Sequence, residues 1–127
     1  MTVKNYLNIM VESLQKKEIL LDEITKDCEK QADLLKQDEL SFSEYDVLTA
    51  DKTERAFEIS KLDDGFTALY EKAQKQLQVN RTEYRTLILS MQALIKVIAE
   101  KINHIQTMEE RNKRGLEGHL RVQGMET

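Results

Sequence analysis

The 127-residue sequence has no proline, where average usage would supply about six. Its glycines are Gly65, Gly115, Gly118 and Gly124, so residues 1–64 contain neither glycine nor proline. A β-sandwich, barrel or doubly wound fold needs turn punctuation that such a stretch lacks. Tryptophan is absent and aromatics make up 6%. The single cysteine, Cys28, excludes an internal disulfide and makes the cytoplasm the expected compartment. No apolar run approaches the roughly eighteen residues of a membrane span. The N-terminal segment meets Glu12 too early for a secretory leader and has no small-residue cleavage pattern.

Charge is what the chain has in quantity: 33% of residues are Asp, Glu, Lys or Arg, with a net charge of −4. The balance is uneven. Residues 1–40 carry six cations against nine anions, residues 41–80 five against eight, and residues 81–127 eight against six. Solvated helix faces are the plain reading of this asymmetry, with attraction between the acidic and the mildly basic parts in the fold as the alternative, and an acidic total disfavours nucleic acid as a general partner. The profile is that of one domain of long, surface-charged helices.

Apolar spacing predicts three of them. Leu7, Leu14, Leu21, Cys28 and Leu35 recur every seven residues, with Met10, Lys17, Ile24 and Gln31 as a second row. Both rows lie on one face of a helix over about 3–36, a pattern that packs against another long helix. Ser41 and Glu44 have capping-box spacing and start a second helix over about 43–78. Its stripe is Tyr45, Leu48, Ile59, Leu62, Phe66, Leu69, Ala73 and Leu77. Lys52 and Arg55 fall on that stripe, so a frayed or wet stretch is expected there. Asp63-Asp64-Gly65 resembles a turn, but the stripe keeps its phase across it, so Gly65 is read inside a continuous helix. The third stripe, Tyr84, Ile88, Met91, Ile95, Ile98, Ile102 and Ile105, predicts a helix over about 82–114. It is out of phase with the second by one residue, about 100° on a helix. A break near residue 80 explains that shift; one long kinked helix is the competing reading. Similar lengths and short connections imply an all-α, elongated antiparallel bundle of three helices, coiled-coil-like, with residues 115–127 as a flexible tail.

No constellation carries catalysis. His104 and His119 form no metal-ligand pattern with Cys28, no glycine-rich loop cradles phosphate, and Glu109 and Glu110 are adjacent and diverge on a helix. An enzyme, a metal and a cofactor are therefore not expected. Cys28 is read as a core seam residue. The third helix is more informative. Leu87, Leu94 and Met108 widen its stripe, while Leu89 and Val97 lie elsewhere on the circumference. Either the other helices or a second copy cover this surface, or it docks a partner's amphipathic helix.

Two segments carry a family resemblance. Residues 59–70, Ile-Ser-Lys-Leu-Asp-Asp-Gly-Phe-Thr-Ala-Leu-Tyr, and residues 84–95, Tyr-Arg-Thr-Leu-Ile-Leu-Ser-Met-Gln-Ala-Leu-Ile, resemble FlgN-type flagellar export chaperones of Firmicutes. The run Glu110-Arg111-Asn112-Lys113 is similar to that family's end of the third helix. The resemblance covers residues 44–116 and implies a cytoplasmic, cofactor-free helical chaperone. Such proteins hold hook–filament junction (hook-associated) proteins before export and deliver them to the flagellar secretion machinery. The family's C-terminal binding region maps onto Met91, Leu94, Ile98, Ile102, Ile105 and Met108, with Arg111 and Asn112 from the terminal motif. Two alternatives stand beside it: a structural coiled coil that homodimerises, and a helical sequestering factor with a different client.

Overall fold

A computed structural model describes residues 2–124. Three helices make up the fold: α1 Val3–Leu35, α2 Phe42–Val79 and α3 Arg85–Val122. At 1.5 Å per residue they are about 50, 57 and 57 Å long. Thr2 caps α1 by accepting the Asn5 amide, and Ser41 caps α2 by accepting the Glu44 amide. The helix therefore begins one residue before the capping box suggested. Gly65 lies inside α2, as its unbroken stripe requires.

The chain breaks after Val79. The Asn80 carbonyl accepts amides of Glu83 and Tyr84 in a turn, and α3 starts at Arg85 with no side-chain cap. The one-residue change of phase is thus a reversal of direction, and the single kinked helix is ruled out.

Helix α1 is the hub. It packs along both α2 and α3, while no Cα of α2 comes within 8 Å of a Cα of α3 among the described residues. The two heptad rows of α1 divide this labour. Lys17 and Gln31 meet α2: Lys17 Nζ lies 2.9 Å from Asp63, and Gln31 donates to the Tyr45 carbonyl and the Thr49 hydroxyl. Cys28 and Leu35 meet α3: the Cys28 carbonyl accepts from Asn112 at 3.0 Å, and Leu35 abuts Gly115. Leu7, Met10, Cys28 and Gln31 have no exposed surface at all. On α3 the buried row is Met91, Ile98, Ile105 and Asn112, again every seven residues. A strict seven-residue recurrence keeps one seam facing one neighbour along the whole contact.

The stretch expected to be frayed is instead paired. Arg55 forms ion pairs with Glu23, Asp27 and Asp51. Lys52 reaches across to Glu109 of α3 at 3.1 Å. Two cations interrupt the stripe because two sets of carboxylates face them. Burial, reinforced by the neighbouring Asp51 carboxyl, pushes Asp27 up from an ordinary 3.8 to about 6.

The flexible tail is also corrected for residues 115–122, which continue α3. The last turns clasp the α1–α2 connection. His119 donates Nε2–H to the Leu35 carbonyl at 2.8 Å, and Gln123 Oε1 accepts the Leu40 amide at 3.0 Å. Gly115 does not stop the helix; a Cβ there would sit 3.1 Å from Leu35 Cδ1, so its smallness admits α1. Residues 125–127, which include Met125 of the expected tail, lie outside the described residues.

Two outcomes are expected from these contacts. A Cβ at Gly65 meets nothing within 4 Å, so Gly65→Ala raises stability by about 1 kcal/mol through helix propensity. Gly115→Ala forfeits that gain by pressing on Leu35; urea unfolding of both variants checks the contrast. For Asp27, the folded-state value lies above the unfolded one. The folded chain therefore holds the extra proton between about pH 4 and pH 6, and stability falls as pH rises through that window. Asp27→Asn abolishes this dependence and is more stable than the parent at pH 7 by about 1–3 kcal/mol. Urea midpoints at pH 4 and pH 7 measure it, and a variant weaker at pH 7 contradicts it.

Candidate partner-binding cleft

Because α1 separates α2 from α3, the two outer helices leave a cleft near the α2–α3 turn. Phe66, Tyr70 and Leu77 form its α2 wall, Ile88, Met91 and Ile95 its α3 wall, and Met10 lies at its floor. Its volume is about 450 Å³. The apolar surface reaches solvent: Tyr70 is 45% and Ile95 48% exposed. The polar lining consists of amides, Gln74, Gln78 and Gln92, and one cation, Arg81. A smaller hollow of about 290 Å³ continues from it, sharing Arg81, Ile88 and Gln92 and adding Thr82, Arg85 and Leu89. Neither recess is lined by a carboxylate.

The heptad geometry of α3 explains the opening. Three adjacent rows run along it. Met91, Ile98, Ile105 and Asn112 face α1. On one flank, Lys101 pairs with Glu18 and Asp22 of α1. On the other flank, the row Ile88, Ile95, Ile102 and Glu109 turns toward α2. At Glu109 the gap is bridged by Lys52; at Ile88 and Ile95 it stays open.

The sequence-derived binding residues divide accordingly. Ile98, Ile105 and Asn112 are buried, and Asn112 is bonded to α1. Met91 is also buried but borders the cleft. Leu94, Ile102 and Met108 are half-buried beside the core, and Arg111 is exposed. The eight residues thus form no common surface: four serve the α1 seam, three flank it and one faces water. The cleft instead draws on Phe66, Tyr70 and Leu77 of α2, which sequence reasoning either assigned to the core stripe or passed over. No sequence signal separated these α2 residues from the core stripe, because which row faces the gap depends on where α1 packs.

Cys28 is buried against Lys52 and Glu109, with Sγ 3.8 Å from Glu109 Oε1 and 3.9 Å from Lys52 Nζ. Burial pushes its thiol above the ordinary range despite the nearby Lys52 cation. That disfavours the reactive thiolate and suits a packing role. Among the described residues, no group of three or more His, Cys, Asp or Glu is arranged to hold a metal ion, and no helix is long and apolar enough to cross a membrane.

Compared with protein-family models, with curated proteins and with solved structures, the chain matches none.

A pair of substitutions separates core from cleft. Ile98 is 4% exposed, so Ile98→Asp buries an unpaired charge and costs more than about 3 kcal/mol. Ile95→Asp places its carboxylate at the solvent side of the cleft and costs less than about 1 kcal/mol. Thermal melts followed by circular dichroism give the two values.

Proposed function

We propose that the chain is a binding protein that holds an amphipathic helix of a client, and that it acts as a cytoplasmic chaperone of the FlgN type for hook–filament junction proteins. The observation that carries the binding reading is the apolar cleft between two helices that both rest on a third. A cleft of this kind offers side-chain pockets at helical spacing and a scaffold that does not collapse when it is empty. The flagellar assignment rests on the resemblance of residues 59–70 and 84–95, segments that contribute Phe66, Tyr70, Ile88, Met91 and Ile95 to the two walls.

The mechanism is mass action. An aggregation-prone helix seated in the cleft lowers the concentration of its free, sticky form. Delivery follows when the export machinery competes for the same helix. Methionine suits such an exchange, since its unbranched side chain refills irregular gaps with each occupant; Met10 and Met91 both border the cleft.

A structural coiled coil is the second reading, favoured by the same exposed apolar walls if a second copy covers them. Purified chain mixed with hook-associated proteins of a flagellated Firmicute tests both. The parent retains a junction protein on affinity resin, and Ile95→Asp, still folded, loses it. No retention by the parent, together with a dimer mass in light scattering, selects the coiled coil.

A further inference from the structure

The charges around the cleft narrow its occupant, on the reading that a partner helix sits there. The chain has more acidic than basic residues, yet no carboxylate lines the cleft or the hollow that continues it. The charged side chains present are Arg81, in the α2–α3 turn, and Arg85, the first residue of α3, four positions apart at the same end. Elsewhere, cations that face a neighbouring helix meet carboxylates: Lys17 meets Asp63, Lys52 meets Glu109, Arg55 meets three acids and Lys101 meets two. Arg81 and Arg85 form no ion pair or side-chain hydrogen bond among the described residues. They stand where the apolar walls end, beside Leu89, which is 52% exposed.

We infer that the occupant is an amphipathic helix of another protein carrying one or two Asp or Glu residues at the end that lies beside Arg81 and Arg85. The walls from Phe66 to Leu77 span about 16 Å, or three turns of helix. The cleft therefore takes apolar side chains at positions i, i+3 or i+4, and i+7 of the occupant. Carboxylates at its end then meet two guanidiniums that form no ion pair among the described residues, with Glu83 between them in sequence but absent from the lining of both recesses. This arrangement steers an acidic helix in and fixes its direction along the cleft, because the reversed helix would leave both arginines without partners. Two arginines flanking an apolar trough are too few for a phosphate backbone, which binds through many such contacts.

Two fluorescent peptides of about fifteen residues test this. Both are synthetic leucine-rich amphipathic helices; one carries two glutamates at one end and its twin carries two lysines. The full-length chain is titrated and anisotropy recorded at low salt and again at high salt. The glutamate peptide is expected to bind about tenfold tighter, with the difference shrinking as salt rises. The double variant Arg81→Glu, Arg85→Glu reverses the preference, which unfolding does not mimic. Its fold is also safe, because position 81 lies in an exposed turn and a carboxylate in the first turn of α3 is favourable. Equal binding of both peptides overturns the acidic-helix inference and leaves the cleft reading standing. Binding of neither peptide overturns both. A chain that is dimeric and excludes both peptides until diluted to monomer assigns the cleft to a second copy and overturns the inference.

Discussion

The burial of α1 on two sides at once is the constraint on which the rest depends. A helix offers each neighbour a narrow face, and the two adjacent heptad rows of α1 supply both: Lys17 and Gln31 reach α2, Leu35 reaches α3, and Cys28 lies between Lys52 and Glu109 of the two. Leu7, Met10, Cys28 and Gln31 become fully inaccessible only when both partners are in place. Neither outer helix substitutes for α1, because α2 and α3 do not approach each other closely. The bundle is therefore held by two long seams that share one helix.

Long apolar seams slip easily, since one heptad resembles the next. Polar contacts between the helices, in the half of the bundle nearer the α1–α2 connection, oppose that. Gln31 bonds Tyr45 and Thr49, Arg55 pairs with acids of both α1 and α2, Lys52 pairs with Glu109, and Asn112 bonds the Cys28 carbonyl. A shift by one heptad would break those of these contacts that cross between helices, and buried polar groups such as Gln31 and Asn112 are costly without partners. Such contacts add little net stability over apolar packing, but they distinguish one register from its neighbours. The price is visible at Asp27, whose carboxylate is held where its charged form is disfavoured. At the far end, the clasp of His119 on Leu35 and Gln123 on Leu40 fixes α3 against the α1–α2 connection.

Firm seams at one end permit an open cleft at the other. Where Lys52 meets Glu109 the outer helices are bridged; toward the α2–α3 turn no hydrogen bond or ion pair joins α2 to α3 among the described residues, and the apolar rows of both face a common gap. The buried row of α3 packs against α1, while the neighbouring row, three residues away in sequence, lines the open gap at Ile88 and Ile95. Packing on α1 and lining of the cleft thereby fall to neighbouring residues such as Ile98 and Ile95, three apart in sequence and about 60° apart around one helix.

Periodicity alone determined the helical class, the heptad rows of α1, the continuity of α2 through Gly65 and a change of phase near residue 80, which a break or a kink would equally produce. Each of these follows from local geometry, because the phase of an apolar stripe is a property of one helix. What periodicity cannot supply is which of several apolar rows meets a neighbour. The α3 stripe reads as one broad surface from Tyr84 to Ile105, and only the position of α1 divides it into a buried row and a cleft wall. The same holds for Lys52 and Arg55, which look like defects until Glu109, Glu23 and Asp51 are brought opposite them. It holds too for Gly115, which reads as a helix stop in sequence but is a point of close approach against Leu35 in the bundle. Stripes are written along the chain, whereas pairing between stripes depends on residues tens of positions apart and is settled only when the helices pack.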